Sequence, residues 1–235
     1  MSTIDLNADL GEGADDEAIY VLVSSANIAC GGHAGDEATM ALALRRAAEH
    51  GVAAGAHPSF PDRDGFGRVS LRMDPASLSA SVEAQIRALA HVALTEGVRL
   101  THVKPHGALY NDAARDADIA AAVADAVLRV SRDLVLVGLA GSVAITAWRS
   151  RGLTVAPEGF CDRGYDATGM LLPRTRPGAV LTDPDVAAAQ ALRLAREGQC
   201  RTLCVHSDTP GAVHLLAAIR KTLERAGWEI AAPHR

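Results

Sequence analysis

Asp5, Asn7 and Asp9 alternate near the start of the chain, and the two-residue period of a strand puts all three on one face. Inside a parallel barrel these groups would have to pair, because such interiors are normally filled by branched apolar side chains. An outward face or a sheet edge accounts for them as well. His102, Lys104 and His106 repeat that parity in His-Val-Lys-Pro-His-Gly-Ala-Leu-Tyr-Asn. A cation between imidazoles offers donors to an anionic substrate or a developing oxyanion. It can equally draw the lysine and histidine pKa values toward neutrality for proton transfer. Lys104 and Lys221 are the only lysines among 23 Lys and Arg residues, so an ammonium here points to a compact, titratable charge. A solvated loop lysine is the plainer reading.

His33 lies in Cys-Gly-Gly-His-Ala-Gly-Asp ahead of a helical pattern, where glycine-rich backbone can present N–H groups to an anion. His57 follows a strand-like run in Gly-Ala-His-Pro. With Asp9, the two histidines make a candidate divalent-metal set with open positions, which only a barrel mouth would assemble. A single loop histidine is more often structural. Residues 60–68 form a long loop of alternating charge, with Phe60 and Phe66 expected at the surface of a lid, a protein contact or a solvated turn. Glu158 and Asp162 follow another strand-like run, and Asp162 has Arg163 and Arg68 as candidate partners. His206 and Asp208 share parity and suggest an orienting pair or a helix cap. Cys30 and Cys161 have no activating neighbour in sequence and read as buried thiols.

Groups this scattered need a scaffold that gathers loops. Strand-like runs at 4–9, 26–30, 52–56, 100–104, 134–137, 154–158 and 202–206 alternate with helical patterns at 36–50, 75–96, 116–132, 142–151, 184–197 and 211–226. A weaker eighth strand lies at 228–231. Several helical patterns end at a glycine, as at Gly51, Gly97 and Gly198. Repeated strand–helix units imply a parallel sheet with helices on its faces, here in one domain over residues 1–235. An open sheet carries its ligand at one switch point, whereas a barrel gathers the loops after all its strands. Reactive side chains following strand after strand favour an irregular (β/α) barrel.

The 235 residues are 49% hydrophobic but only 3% aromatic, so the core must be built from Ala, Leu and Val. A net charge of −5 with dispersed arginines argues against nucleic-acid partners, and no apolar run is long enough to span a membrane. An acid-containing start without a signal-peptide pattern, and four cysteines without paired CxxC spacing, read as a cytoplasmic protein with reduced thiols.

Taken in order, several motifs together resemble the LamB/YcsF family from about residue 4 to residue 230. They are Asp5-Leu-Asn-Ala-Asp-Leu-Gly-Glu12, Ser25-Ala-Asn-Ile-Ala-Cys-Gly-Gly-His-Ala-Gly-Asp36, Gly55-Ala-His-Pro58, Gly65-Phe-Gly-Arg68, His102 to Asn111 and Asp162-Arg163. The resemblance implies a seven-stranded (β/α) barrel of the glycoside hydrolase/deacetylase type. It also implies ATP-dependent opening of 5-oxo-L-proline (pyroglutamate) to L-glutamate with partner subunits B and C. No Gly-x-x-x-x-Gly-Lys-Ser/Thr segment occurs, so ATP is expected to be handled by the complex, with a divalent metal as an open question. The expected catalytic groups are Asp9, Lys104, His106, Glu158 and His206. Asn7, His33, His57, Arg68, Asp162, Arg163 and Asp208 are expected to bind substrate. The sequence departs from the family pattern at Gly32, Val69 and Ser207. Two other readings remain: a stand-alone metal-dependent amide hydrolase or deacetylase, and a non-catalytic barrel subunit.

Overall fold

Strands and helices alternate in the computed structural model, which describes residues 2–13 and 16–233. The strands are β1 (Ser2–Leu10), β2 (Ser25–Ala29), β3 (Ala53–His57), β4 (Leu100–Val103), β5 (Val135–Leu139), β6 (Val155–Phe160), β7 (Thr202–Cys204) and β8 (Trp228–Ile230). The helices are α1 (Glu17–Tyr20), α2 (Glu37–Glu49), α3 (Pro75–Thr95), α4 (Gly107–Ala113), α5 (Ala117–Val130), α6 (Val143–Ser150), α7 (Pro184–Glu197) and α8 (Ala212–Arg225). β1 to β7 pair in parallel in chain order, and β1 pairs with both β2 and β7, which closes a seven-stranded barrel. β8 adds in parallel to the first residues of β1, from Ser2↔Trp228 to Ile4↔Ile230, and is not a member of the ring.

Local chemistry starts the helices where the sequence places them. Asp36 accepts from Thr39 N and closes a capping box, while Asp74, Asp116, Ser142 and Asp183 cap α3, α5, α6 and α7 through their side chains. Pro75 and Pro184 occupy first-turn positions, where a missing N–H costs nothing. Alanine, leucine and valine dominate the buried layer between helices and strands, as the composition requires. Trp148 is the largest buried side chain and donates from Nε1 to Ala120 O at 2.8 Å. Gly138 makes room for it, since a Cβ there would lie 2.6 Å from the indole.

The inside of the barrel is polar apart from a small apolar cluster of Val135, Val137 and Ala156 on β5 and β6. Leu6, Ala8 and Leu10 of β1 join the apolar layer, while Asp5, Asn7 and Asp9 face the axis. Asn7 Nδ2 donates to Glu158 Oε1 of β6 at 2.9 Å, and β6 is not a sheet neighbour of β1. Such a contact can run only through the interior, which excludes the outer-face and edge readings of this motif.

Two local expectations need correction, and one short helix is unexpected. Phe60 is fully buried in the core rather than at the surface, and Phe66 is partly buried. Tyr110 lies on α4, a short helix without side-chain capping that periodicity does not reveal. β4 and β7 stop at Val103 and Cys204, short of Lys104 and His206. Pro105 cannot donate to a ladder, and the His206 backbone N–H is turned to Asp162 Oδ2 at 3.1 Å. Among the described residues, no helix is long and apolar enough to cross a membrane.

Gly55 on β3 sits where a Cβ would lie 2.3 Å from the His102 ring, which is itself held by Asn27 Oδ1 at 2.9 Å. Gly55→Ala is expected to cost about 1–3 kcal/mol through overpacking against a ring that cannot yield. Urea denaturation of the purified variant measures it, and an unchanged midpoint would show that the ring moves freely.

Candidate active site

Asp5 forms the lowest polar layer along the barrel axis. Ser24 Oγ donates to its Oδ1 at 2.6 Å, and Ser25 Oγ and Thr202 Oγ1 donate to its Oδ2 at 2.7 and 2.5 Å. Burial pushes this carboxyl up from 3.8 to about 6, against the pull of the three hydroxyls. Above it, Asn7 Oδ1 accepts from Asn27 Nδ2 at 2.8 Å, and Asn27 Nδ2 also donates to Asp9 Oδ1 at 2.9 Å.

Lys104 closes this column. Its Nζ lies 2.9 Å from Asp9 Oδ1, 2.9 Å from Glu158 Oε1, 3.1 Å from Cys204 Sγ and 3.3 Å from Asn7 Oδ1. The side chain is only 2% exposed, yet burial is outweighed by Asp9 and Glu158, which hold the ammonium well above its usual pKa. The expectation of a lysine titrating near neutrality is therefore reversed, because Lys104 faces two carboxyl groups rather than its flanking histidines. Burial also opposes the charge of Asp9, but His57 and Lys104 outweigh it and keep the carboxyl well below the usual carboxylate range. The Cys204 thiol is pushed well up by burial despite the adjacent ammonium, and all four cysteines are free and buried.

Four ligand-type side chains converge beside Asp9. Glu12, His33, His57 and His106 each offer one atom within a 4.8 Å cluster. Glu12 Oε1 is 2.9 Å from His33 Nε2, 3.3 Å from His106 Nδ1 and 3.7 Å from His57 Nε2. His33 stacks flat on His106 with centroids 3.6 Å apart, and burial pushes His33 down to about 4 and also lowers His106. His57 moves up, because Asp9 and Glu12 outweigh its burial. Asp9 is the acid that strand parity selects beside His33 and His57, but its Oδ1 is engaged by Lys104 and Asn27 and its Oδ2 is 3.5 Å from His57. Glu12 is the carboxylate that lies within 3.7 Å of all three imidazoles. The sequence signal for it was the Asp-Leu-Gly-Glu run, three residues past the face that β1 presents.

The later strands supply a second group. His206 Nδ1 is 3.0 Å from Asp162 Oδ2, which also accepts from Thr209 Oγ1 at 2.6 Å. Burial of Asp162 is overcome by His206, and the carboxyl stays below its usual range. His206 also stacks on Phe160 at 5.1 Å, so the ring is held by Asp162 at Nδ1 and by the aromatic face. Asp208 is not its partner. That carboxylate pairs with Arg68 and, at 3.0 Å, with Arg174, tying the loops after β3, β6 and β7 together. Among the described residues Arg163 forms no salt bridge, and it donates to Ala179 O at 2.9 Å and Leu172 O at 2.6 Å.

A cavity of about 440 Å³ opens over these groups, lined by Asp9, His57, Lys104, His106 and His206, with Arg68, Arg115, Arg163 and Arg174 among its walls. It is the size of a small-ligand site, with cations on its rim and titratable groups at its floor. Glu158 is fully buried beneath and is not part of the lining.

The sequence pattern of the LamB/YcsF family matches residues 4–235. The chain belongs to the LamB/YcsF family. A protein of Chloroflexus aggregans, named as the A subunit of 5-oxoprolinase, is 52% identical over 251 residues, covering 99% of this chain and 100% of that one. The crystal structure of a lactam utilization protein from Thermus thermophilus superposes with a TM-score of 0.92 at 44% identity, over 98% of this chain and 99% of that one. A family 4 carbohydrate esterase from Streptomyces lividans shares the fold alone, with a TM-score of 0.51 at 13% identity over 99% and 94% of the two chains. The departure from the LamB/YcsF pattern at Gly32 has a local cause. A Cβ there would fall 2.2 Å from Gln85 Oε1, and Gln85 is fixed by Ser59 N and O at 2.9 and 2.8 Å.

Two outcomes follow for the axis. Lys104→Met leaves two buried carboxyl groups without their cation and is expected to cost about 3–5 kcal/mol. Adding Asp9→Asn and Glu158→Gln should recover part of that loss in chemical denaturation. For Asp5 the folded protein favours the protonated acid, so wild type and Asp5→Asn respond differently to pH. As pH rises from 3.8 through about 6, wild type loses about 3 kcal/mol relative to the variant. Urea midpoints of both proteins at pH 4 and 7.5 read this difference directly.

Proposed function

We propose that this chain is the barrel subunit of an ATP-coupled 5-oxoprolinase, which opens 5-oxo-L-proline to L-glutamate together with partner subunits B and C. The full-length likeness to chains of that name supports the reading, as does a cavity whose rim is cationic and whose floor holds ionised, oriented groups. A lactam amide is resonance-stabilised, and its hydrolysis needs water added to the ring carbonyl carbon and a proton given to the departing nitrogen. ATP is handled by the partners, which activate the lactam carbonyl oxygen, since this sequence has no phosphate-cradling Gly-Lys loop.

Each step has a candidate group. The carboxylate of the substrate suits Arg68 and Arg174 at the rim, both partly exposed and held by one aspartate. His206, fixed through Nδ1 by Asp162, takes a proton from the attacking water at its other nitrogen and returns it to the ring nitrogen as the C–N bond breaks. Asp9 and Lys104 set a fixed field at the floor, where no reorganisation is needed as charge develops. Glu158 acts through Lys104 and Asn7 rather than on substrate.

The observation that carries this assignment is the His206–Asp162 pair facing a cavity floored by Asp9 and Lys104. The experiment mixes the purified chain with subunits B and C and follows glutamate release. Turnover should require ATP and all three chains. His206→Ala should lower kcat by about 10²–10⁴ with folding intact, and Asp162→Asn should act in the same direction. Wild-type glutamate production by His206→Ala would remove this residue from the chemistry. Turnover of an amide by the chain alone, without ATP, would favour a stand-alone hydrolase.

A further inference from the structure

His57 and His106 meet in an arrangement that neutral imidazoles cannot satisfy. His57 Nδ1 is 2.7 Å from Lys104 O, and His106 Nε2 is 3.0 Å from Phe66 O. A backbone carbonyl only accepts, so each of these nitrogens carries the ring proton. The remaining nitrogens, His57 Nε2 and His106 Nδ1, then point lone pairs at each other across 3.0 Å. Glu12 Oε1 adds a third electron-rich atom 3.3 Å from His106 Nδ1, and it lies 2.9 Å from His33 Nε2, which donates to it in the absence of an ion. A buried group of acceptors facing inward is stable only with a cation among them.

We propose that Glu12, His33, His57 and His106 form a binding site for one divalent cation of the borderline class, such as Zn²⁺ or Co²⁺. Three imidazole nitrogens and one carboxylate oxygen are the donor set these ions take. The separations fit for Glu12, His57 and His106, whereas His33, stacked flat on His106, has to turn for its lone pair to reach the same ion. Ligand atoms at about 2.0–2.2 Å from a common ion in tetrahedral array stand about 3.3–3.6 Å apart, and the close pairs here are 2.9, 3.0, 3.3 and 3.7 Å. The outer nitrogens of His57 and His106 are fixed by carbonyls, as metal-bound histidines usually are. One of those carbonyls belongs to Phe66, held at a φ of 55° that a non-glycine residue rarely adopts. His57 and His106 line the cavity, so an ion would have one side toward it, where such ions polarise oxygen ligands.

The site is independent of the lactam reading, because it can be tested on the isolated chain without partners, ATP or turnover. The full chain is stripped with a chelator and titrated with Co²⁺, following visible absorption, with Zn²⁺ stoichiometry from equilibrium dialysis. One ion per chain is expected, with the bands of a low-coordinate Co²⁺ centre and a rise in Tm. Glu12→Gln and His106→Ala should each weaken binding about tenfold or more and alter the spectrum, with circular dichroism checking the fold. His91→Ala, on the exposed side of α3, should change nothing. A folded wild-type chain that binds no stoichiometric ion would overturn the site and leave a proton as the bridging cation. Unchanged affinity in the Glu12→Gln/His106→Ala double variant would overturn it as well.

Discussion

The Lys104 ammonium is the constraint around which the barrel interior is organised. An isolated cation at that depth would be expelled or neutralised, and so would either carboxyl group beside it. Lying 2.9 Å from both Asp9 and Glu158, the ammonium makes all three tolerable, and Asn7 and Cys204 complete its shell. One ammonium shared by two carboxyl groups leaves Asp9 able to influence its other neighbour, His57, whose pKa it raises. The charge arrangement at the floor thereby reaches the histidine cluster through a single side chain.

This arrangement explains the unusual allocation of residue types. A barrel interior is normally a second apolar core, but here its layers are Asp5 with three hydroxyls, then Asn7 with Asn27 and Glu158, then Lys104 with Asp9. The apolar burial that stabilises the fold is shifted to the layer between strands and helices. Alanine is abundant there, at Ala43, Ala47, Ala120, Ala124, Ala187 and Ala191, and lets the helices lie close to a narrow ring of strands. The scarcity of aromatics has the same origin, since a thin, closely packed layer has few places for a ring, and Trp148 fits only against Gly138.

Sequence patterns located the barrel because its determinants are local. Aspartate and serine caps, glycine stops and strand alternation fall within a few residues of the elements they define, and the observed span of α7 coincides with its periodicity. α1 and α4 escaped because four and seven residues carry too little periodicity. At the mouth the residues were named but not all their partners. Parity paired His206 with Asp208, which holds only while a strand continues, and β7 ends at Cys204. Once the chain leaves the strand, Asp162, forty-four residues away, captures both the imidazole and its backbone N–H. Glu12 was missed for the same reason, since its position is set by three histidines from other strands rather than by its neighbours.

The cavity therefore has two chemically different walls over one charged floor. The C-terminal end of β3 and the loops after β1, β2 and β4 contribute His57, Glu12, His33 and His106, a set that concentrates lone pairs. Loops after β6 and β7 contribute His206 with its orienting Asp162, a set suited to moving a proton. Arg68 crosses from one side to the other, because it leaves the loop after β3 and meets Asp208 beyond β7, where Arg174 also binds. An anion that competes for these guanidinium groups would loosen that bridge at the moment it enters. Binding at the rim and access to the floor are thus physically linked, and a barrel is suited to such linkage because every loop that takes part is anchored to the same closed ring.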